Sequence, residues 1–374
     1  MGAPRRRSLR RGPTTRRPFR PALLAALVLA AAPPARATEQ FLVNTGAPLI
    51  YDPFTIEDAR TAGMGRVTAI PSDGVVAAWW NPAFLALRGE RGLSISNADL
   101  AEVLQDGYIR SATIALPLRR GDHPLGVGLG VKRLSVGEIG FVFPGDTVRP
   151  WEQAYVASIG YGVSASTAIG VSLEYVWLHY DPDPALNIPG SLSAFSASVG
   201  IGYERTLNFS AAGGDSENRL LVTPTAAATF QHLGQQLDYP GEGQDLYRQL
   251  RGAVGVEVEY SPPEGTEAFD AARLGQFALA TAIEAWVPAT DWAEISLDRT
   301  VIHCGTELTL FGVLSGRLGF INDNLNNRVE WEQTHGLGIS LPEGLPVIVR
   351  FDWAEVPWGG SERIERRTLS ISLR

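Results

Sequence analysis

A single cysteine, Cys304, stands in the whole chain, so no internal disulfide can form, and no Cys/His cluster has zinc spacing. Long apolar runs are missing too. Beyond residue 37 the longest is Val75 to Trp80, far short of the ~20 residues that a membrane helix needs. A helical membrane protein is excluded, which leaves a secreted soluble protein or a membrane β-barrel. Basic residues are scarce over the same stretch, with 23 Lys and Arg against 40 Asp and Glu. That acidic balance argues against a nucleic-acid partner. Charged residues make up only 19% of the chain and hydrophobic ones 45%, which is not a disordered composition. Catalytic signatures are absent: there is no G-x-S-x-G, H-E-x-x-H or G-x-x-x-x-G-K. The five histidines, His123, His179, His232, His303 and His335, are scattered. The sequence therefore names no catalytic residue, cofactor or metal ligand, and it reads as a non-enzyme.

What the chain does have begins with an address. Residues 1–37 carry nine arginines and no acid. Arg5 to Arg20 forms a positive region, Ala22 to Ala32 an apolar one, and Ala35-Arg36-Ala37 a small-x-small cleavage site. This is the pattern of a secretory signal peptide over residues 1–37, with Thr38 as the mature start. Thr15-Arg16-Arg17-Pro18-Phe19 also resembles a twin-arginine export signal.

From residue 91 onward, period-2 alternation dominates. Leu125, Val127, Leu129 and Val131 alternate with Gly126, Gly128, Gly130 and Lys132. Ile169, Val171, Leu173, Tyr175 and Trp177 oppose Gly170, Ser172 and Glu174, and Phe195 to Glu204 repeats the scheme. A soluble sandwich would carry Lys, Arg, Glu and Thr on its second face. Here that face is mostly Gly, Ser and Ala, which suits the crowded interior of a closed barrel, while the apolar face suits lipid. Gly126 to Gly130 superficially suggests a nucleotide loop, but it lies inside an alternating strand. Strands of this length match the 9–11 residues needed to cross a bilayer at a tilt, and closure removes the unpaired edges.

Fourteen segments follow this rule, near 91–97, 108–118, 125–134, 153–163, 168–180, 193–205, 219–230, 251–260, 277–287, 293–309, 313–321, 334–341, 346–354 and 366–373. Short turns are expected on the periplasmic side and longer loops outside. Two connections break that rule: 261–276 is long and 288–292 is short. Trp151, Tyr155, Trp177, Tyr180, Trp286, Trp292, Trp353 and Trp358 cluster at strand ends, as interfacial girdles do.

Residues 38–90 do not alternate. They hold Asp58-Ala59-Arg60-Thr61-Ala62-Gly63-Met64-Gly65, then Ser72-Asp73-Gly74, then Trp79-Trp80-Asn81-Pro82-Ala83. This resembles the start of mature outer-membrane proteins of the FadL and PorV superfamily. The closing stretches Arg350-Phe351-Asp352-Trp353-Ala354-Glu355 and Arg367-Thr368-Leu369-Ser370-Ile371 look like the last strands of PorV-like proteins. The resemblance implies an all-β, closed antiparallel transmembrane barrel of about 14 strands over 91–374. It also implies an N-terminal hatch or plug over 38–90, with Gly63, Met64, Gly65, Asn81, Pro82 and Ala83 as hatch and gating residues. Arg66 stands where that family often has a further glycine, which leaves the turn there open. Read alone, the Asn-Pro-Ala run is also compatible with a turn into the first strand.

Glu174, Glu204, Glu257, Glu259 and Glu284 fall on inward faces. They are candidates to line a polar lumen, and pairing with Arg317 and Arg350 across it is the favoured reading. The expectation is an outer-membrane protein of a Gram-negative-type bacterium, surrounded by outer-membrane lipid and passing a hydrophobic small-molecule ligand through a hatch-gated barrel. The alternative is a PorV-like component that docks or shuttles cargo for a type IX-like secretion system, with secretion-system proteins as partners.

Overall fold

Alternation of large apolar with small side chains gives every strand one face for lipid and one for a crowded interior, and the sheet closes on that basis. The computed structural model describes residues 58–71, 73–100, 106–137, 139–140, 147–179, 190–209, 219–235, 237–239, 242–244, 246, 248–261, 275–291, 294–295, 300–322, 331–341, 346–357 and 363–373. All of them fall in the one compact unit running from Pro33 to Arg374. The readings made on 1–57, the signal peptide among them, lie outside the described residues.

The barrel strands are β1 (Arg91–Asp99), β2 (Tyr108–Arg119), β3 (Leu125–Ser135), β4 (Trp151–Ser164), β5 (Thr167–His179), β6 (Ser191–Glu204) and β7 (Arg219–Gly234). They continue as β8 (Gln249–Ser261), β9 (Phe277–Asp291), β10 (Val301–Leu310), β11 (Leu314–Asn322), β12 (Glu332–Ser340), β13 (Val347–Pro357) and β14 (Arg363–Leu373). Each pairs antiparallel with its neighbours in sequence. β14 returns to β1, from Arg91↔Leu373 to Asp99↔Glu365, and so closes a fourteen-stranded barrel. Every expected strand is present. β10 starts at Val301 rather than near 293, because Glu294–Ile295 instead pairs back onto the end of β9. The short connection expected at 288–292 is thereby removed, while the long one over 262–276 remains.

Turns over 120–124, 165–166, 311–313 and 341–346 join strands at one end. Longer connections, such as 136–150, 180–190 and 235–248, join strands at the other. These are called the short-turn and long-loop ends below.

Outward positions carry a continuous apolar belt: Leu129 is 58% exposed, Leu173 63% and Leu337 62%. In water each such side chain would forgo roughly 1.5–3 kcal/mol of burial, so the belt is the surface of a barrel immersed in lipid. Among the described residues no helix is long and apolar enough to cross a membrane. Aromatic pairs flank the belt. Trp151 and Trp177 meet edge-on with centroids 4.9 Å apart, and Tyr175 lies 4.8 Å from Phe195. Trp286 corrects the girdle reading: it is 4% exposed and belongs to the interior core. Its position in β9 has the inward parity of Glu284, and a strand end is no guide to face. Tyr180, Trp292 and Trp358 lie outside the described residues.

The lipid belt makes a direct prediction. Leu173 sits midway along β5 and points outward, so Leu173→Arg should destabilise the barrel by roughly 2–4 kcal/mol in reversible unfolding from lipid vesicles. A change near zero would mean that this face does not meet hydrocarbon.

Candidate functional site

The interior is filled by residues 58–90. They form three short helices, α1 (Ala59–Gly63), α2 (Ala77–Trp80) and α3 (Ala83–Leu87), joined by irregular chain. Alanine-rich runs favour the helices. Asp58 caps α1, its carboxylate accepting from Thr61 N–H at 2.7 Å. Pro82 stands just before α3, where its missing N–H costs nothing.

The wall is built to receive backbone. A Cβ added at Gly170 would lie 2.4 Å from the Pro82 carbonyl carbon, and one at Gly160 would lie 2.3 Å from the Pro82 oxygen. At Gly200 it would lie 2.1 Å from Asn81 Oδ1. The Asn81-Pro82-Ala83 turn therefore sits directly on a patch of three strands that only glycine can provide. A second patch lies opposite. A Cβ at Gly305 would meet Met64 O at 2.1 Å, and one at Gly319 would meet Gly65 N at 2.0 Å. Gly63 approaches Gly336 in the same manner. Gly65 takes φ 68° and Arg66 φ 60°, a left-handed step that favours glycine. Arg66 accepts that strain, and its guanidinium donates to Pro357 O at 2.7 Å.

Side chains of the wall complete the seat. Ser158 and Ser172 donate to Ala78 O at 2.7 and 3.1 Å. Asn81 Nδ2 donates to Ala69 O at 2.9 Å and to Ile201 O at 3.2 Å. Gln231 Nε2 reaches Trp79 O and Trp80 O at 3.2 and 3.0 Å. Gln231 was not legible as a site residue. It keeps the inward parity of Thr225 and Thr229, one step beyond the expected end of that strand, and a register shift in β7 between Phe230 and Leu233, with His232 at φ 59°, turns His232 inward beside it.

Three charged groups fix the segment. Arg60 makes a two-point bond to Glu307, at 3.0 Å from Nε and 2.6 Å from Nη2. Burial alone would lower the Arg60 guanidinium, but the facing Glu307 carboxylate reverses this and holds it above its ordinary value. Glu307 also bonds Arg317 and Arg350, and both arginines reach Asp352, at 2.6 and 2.9 Å. This corrects the expected pairing: Arg317 and Arg350 bond Glu307 and Asp352 on their own side of the barrel, not the glutamates across it. Glu307 faces them because β10, β11 and β13 are near neighbours in the sheet. Glu204 instead pairs with Arg88 at 3.2 Å. Glu174 accepts from Ser198 Oγ at 2.9 Å and lies 3.5 Å from His232 Nε2. Glu257 and Glu259 line a cavity.

The third group is Glu284. One of its oxygens accepts from Thr68 N–H at 2.7 Å and Ala69 N–H at 2.6 Å, while the other takes Arg251 at 2.8 Å.

The interior changes character along its length. At the long-loop end most inward side chains are apolar and fully buried, among them Ile109, Leu134, Val176, Leu178, Val356 and Ile364, with Glu152, Gln249 and Arg366 buried between them. At the short-turn end two cavities of about 470 and 730 Å³ open beneath the segment. They carry Arg60, Arg88, Glu90, Glu204, Glu257 and Arg350 among their walls. Among the described residues no group of three or more His, Cys, Asp or Glu is placed to hold a metal ion.

No family model and no curated protein matches the chain. Among solved structures, the Ralstonia pickettii toluene transporter TbuX aligns at 13% identity with a TM-score of 0.45, over 88% of this chain and 98% of that one. The Pseudomonas putida toluene transporter TodX aligns at 12% with a TM-score of 0.41, over 85% and 97%. LpxR from Salmonella typhimurium aligns at 9% with a TM-score of 0.34, over 75% and 99%. Likeness at this level leaves function to be argued from the residues.

Two predictions arise from the seat. Gly170→Ala should displace the Asn81-Pro82 turn and cost about 1–3 kcal/mol by overpacking. Gly316→Ala, where an added Cβ meets nothing within 4 Å, should stay within about 0.5 kcal/mol in the same unfolding assay. The other prediction concerns Glu90, at the short-turn rim. Burial pushes its carboxyl up to about 8, and neighbouring Asp73 adds to the rise. Between its ordinary 4.5 and about 8, the folded protein holds a proton that the unfolded chain has lost. Stability should therefore fall as pH rises through that window and level off above it. Glu90→Gln should flatten this part of the pH–Tm curve.

Proposed function

We propose that the protein is an outer-membrane channel for small hydrophobic molecules, held shut by the segment over residues 58–90. The observation that carries this reading is the change inside the barrel, from a closely packed, mostly apolar half at the long-loop end to charged cavities at the short-turn end. In outer-membrane barrels long loops face outward and short turns face the periplasm, so the apolar half is the outer mouth. A hydrophobic solute gains by leaving water for such a lining, whereas an ion faces a desolvation cost of several kcal/mol. The cavities beneath would then release it to the periplasm. In this role Gly63, Met64, Gly65, Asn81, Pro82 and Ala83 seat the gate. Arg317 and Arg350 fix it through Glu307, and Glu204 and Glu257 line the exit.

The test is uptake of a lipophilic fluorescent dye by cells making the protein, against cells making a variant that lacks 58–88 and still shows a heat-modifiable band. Dye entry above the empty-vector rate for the intact protein, and faster still in the variant, supports the reading. Entry at the empty-vector rate for the intact protein removes it. Recovery of a stoichiometric secretion-system protein after mild detergent extraction would favour the docking role instead.

A further inference from the structure

Most of the inner segment is pressed onto glycine, but the linker between α1 and α2 is held differently. Val67 and Ala69 pack on Ala253 and Ala282, with Ile70 and Ala227 alongside. The wall there carries methyl groups, and Gly255 beside them faces the Ile70 side chain rather than backbone of the segment. Its ends are fixed, by Arg66 bonded to Pro357 O and by Pro71 O accepting from Arg88 at 2.5 Å. Its middle hangs on Glu284, which takes two consecutive N–H groups, and on Asn81.

The position of Glu284 along β9 gives this contact a consequence. Ala280 and Ala282 line the 470 Å³ cavity, Glu284 comes next inward, and Trp286 belongs to the apolar half. On β8 the same order runs Gly255, Ala253, Arg251. Met64, Val67, Ile70 and Pro71 form the cavity's opposite side. The linker and the Glu284–Arg251 pair are therefore the partition between the two halves of the interior. Both charged side chains are essentially fully buried, with Thr68 Oγ1 2.5 Å from Arg251.

We infer that Val67–Ile70 is the part that moves, and that the Glu284–Arg251 pair is its latch. The inference rests on the channel reading and deepens it. α1 and α2–α3 stay seated on their glycine patches, while the linker swings off Glu284. A hydrophobic molecule then passes between it and the β7–β9 wall into the cavity below. Glu284 acts here as a positioning residue: it holds the linker and does not touch the solute.

The test uses the full-length mature protein in two measurements. In amide hydrogen exchange, Glu284→Gln should speed exchange at Thr68 and Ala69 at least tenfold and leave residues 77–87 unchanged. In planar bilayers bathed in potassium chloride, the same variant should open more often than the native protein. A lock keeps the latch residues intact: Ala69→Cys with Ala253→Cys in a Cys304→Ser background. Oxidation of that pair should suppress openings, and reduction should restore them. Unchanged exchange at Thr68 and Ala69, or openings that persist in the oxidised pair, would overturn the inference. So would equal loosening of 77–87, because the segment would then move as one body. If Glu284→Gln gives no heat-modifiable band, the oxidised pair decides alone. A native protein that takes up no dye while the exchange and locking results hold would sink the channel reading and leave the latch standing.

Discussion

Chain inside a barrel has neither sheet nor long helix to satisfy its own amides, and every buried N–H and C=O left without a partner costs about 1–3 kcal/mol. The wall must therefore come within hydrogen-bonding distance of the inner backbone. That requirement explains the composition of the lumen. Glycines at Gly160, Gly170 and Gly200 let the turn at Asn81 and Pro82 approach the wall, Gly126 does the same for Leu85, and a methyl group at any of these positions would collide with the segment. Serines and threonines one step away, such as Ser158, Ser172 and Thr334, then reach carbonyls and amides of the segment. The Gly/Ser/Ala face that marks the strands as a barrel is also the binding surface for what the barrel contains.

Charge does the remaining fixing, and it does so unequally. Arg60, Arg317 and Arg350 share Glu307 and Asp352, so three cations meet two carboxylates. A buried ion cluster adds little net stability over a hydrophobic replacement, but losing one partner costs roughly 3–5 kcal/mol. Such a cluster defines position more than it adds stability. It ties α1 to β10, β11 and β13 at the same level where Thr334 holds Gly63 and Gly65. Glu284 defines position too, but it grips a linker that has no glycine seat.

The barrel was legible because alternation is local: each strand announces its own faces, and neighbour pairing needs nothing more. The seat was only half legible. Gly63, Gly65, Asn81 and Pro82 stood out through the resemblance, and the structure sets them against the wall. Their partners could not be read, because which strand faces which across a closed barrel depends on stagger, and stagger leaves no trace in any single strand. The expected partners of Arg317 and Arg350 were therefore glutamates across the lumen, when Glu307 stood one strand from Arg317 and three from Arg350. The bulge at His232 is a second case. One extra residue in β7 turns His232 inward beside Gln231, and nothing in the alternation marks the place.

Arg66 shows how seat and linker are joined. A non-glycine residue at φ 60° is strained, at a cost on the order of 1–3 kcal/mol, and a glycine there would remove the strain. The arginine instead spans from the Gly65 turn to Pro357 at the long-loop end, while its own carbonyl takes a bond from His303 Nδ1 at 3.0 Å. Both contacts lie on the α1 side of the linker. They stop motion of residues 67–70 from spreading into α1, as Arg88 does at the Pro71 end. The strained residue thus marks the boundary between the part of the segment seated on glycine and the part held through Glu284, Arg251 and Asn81.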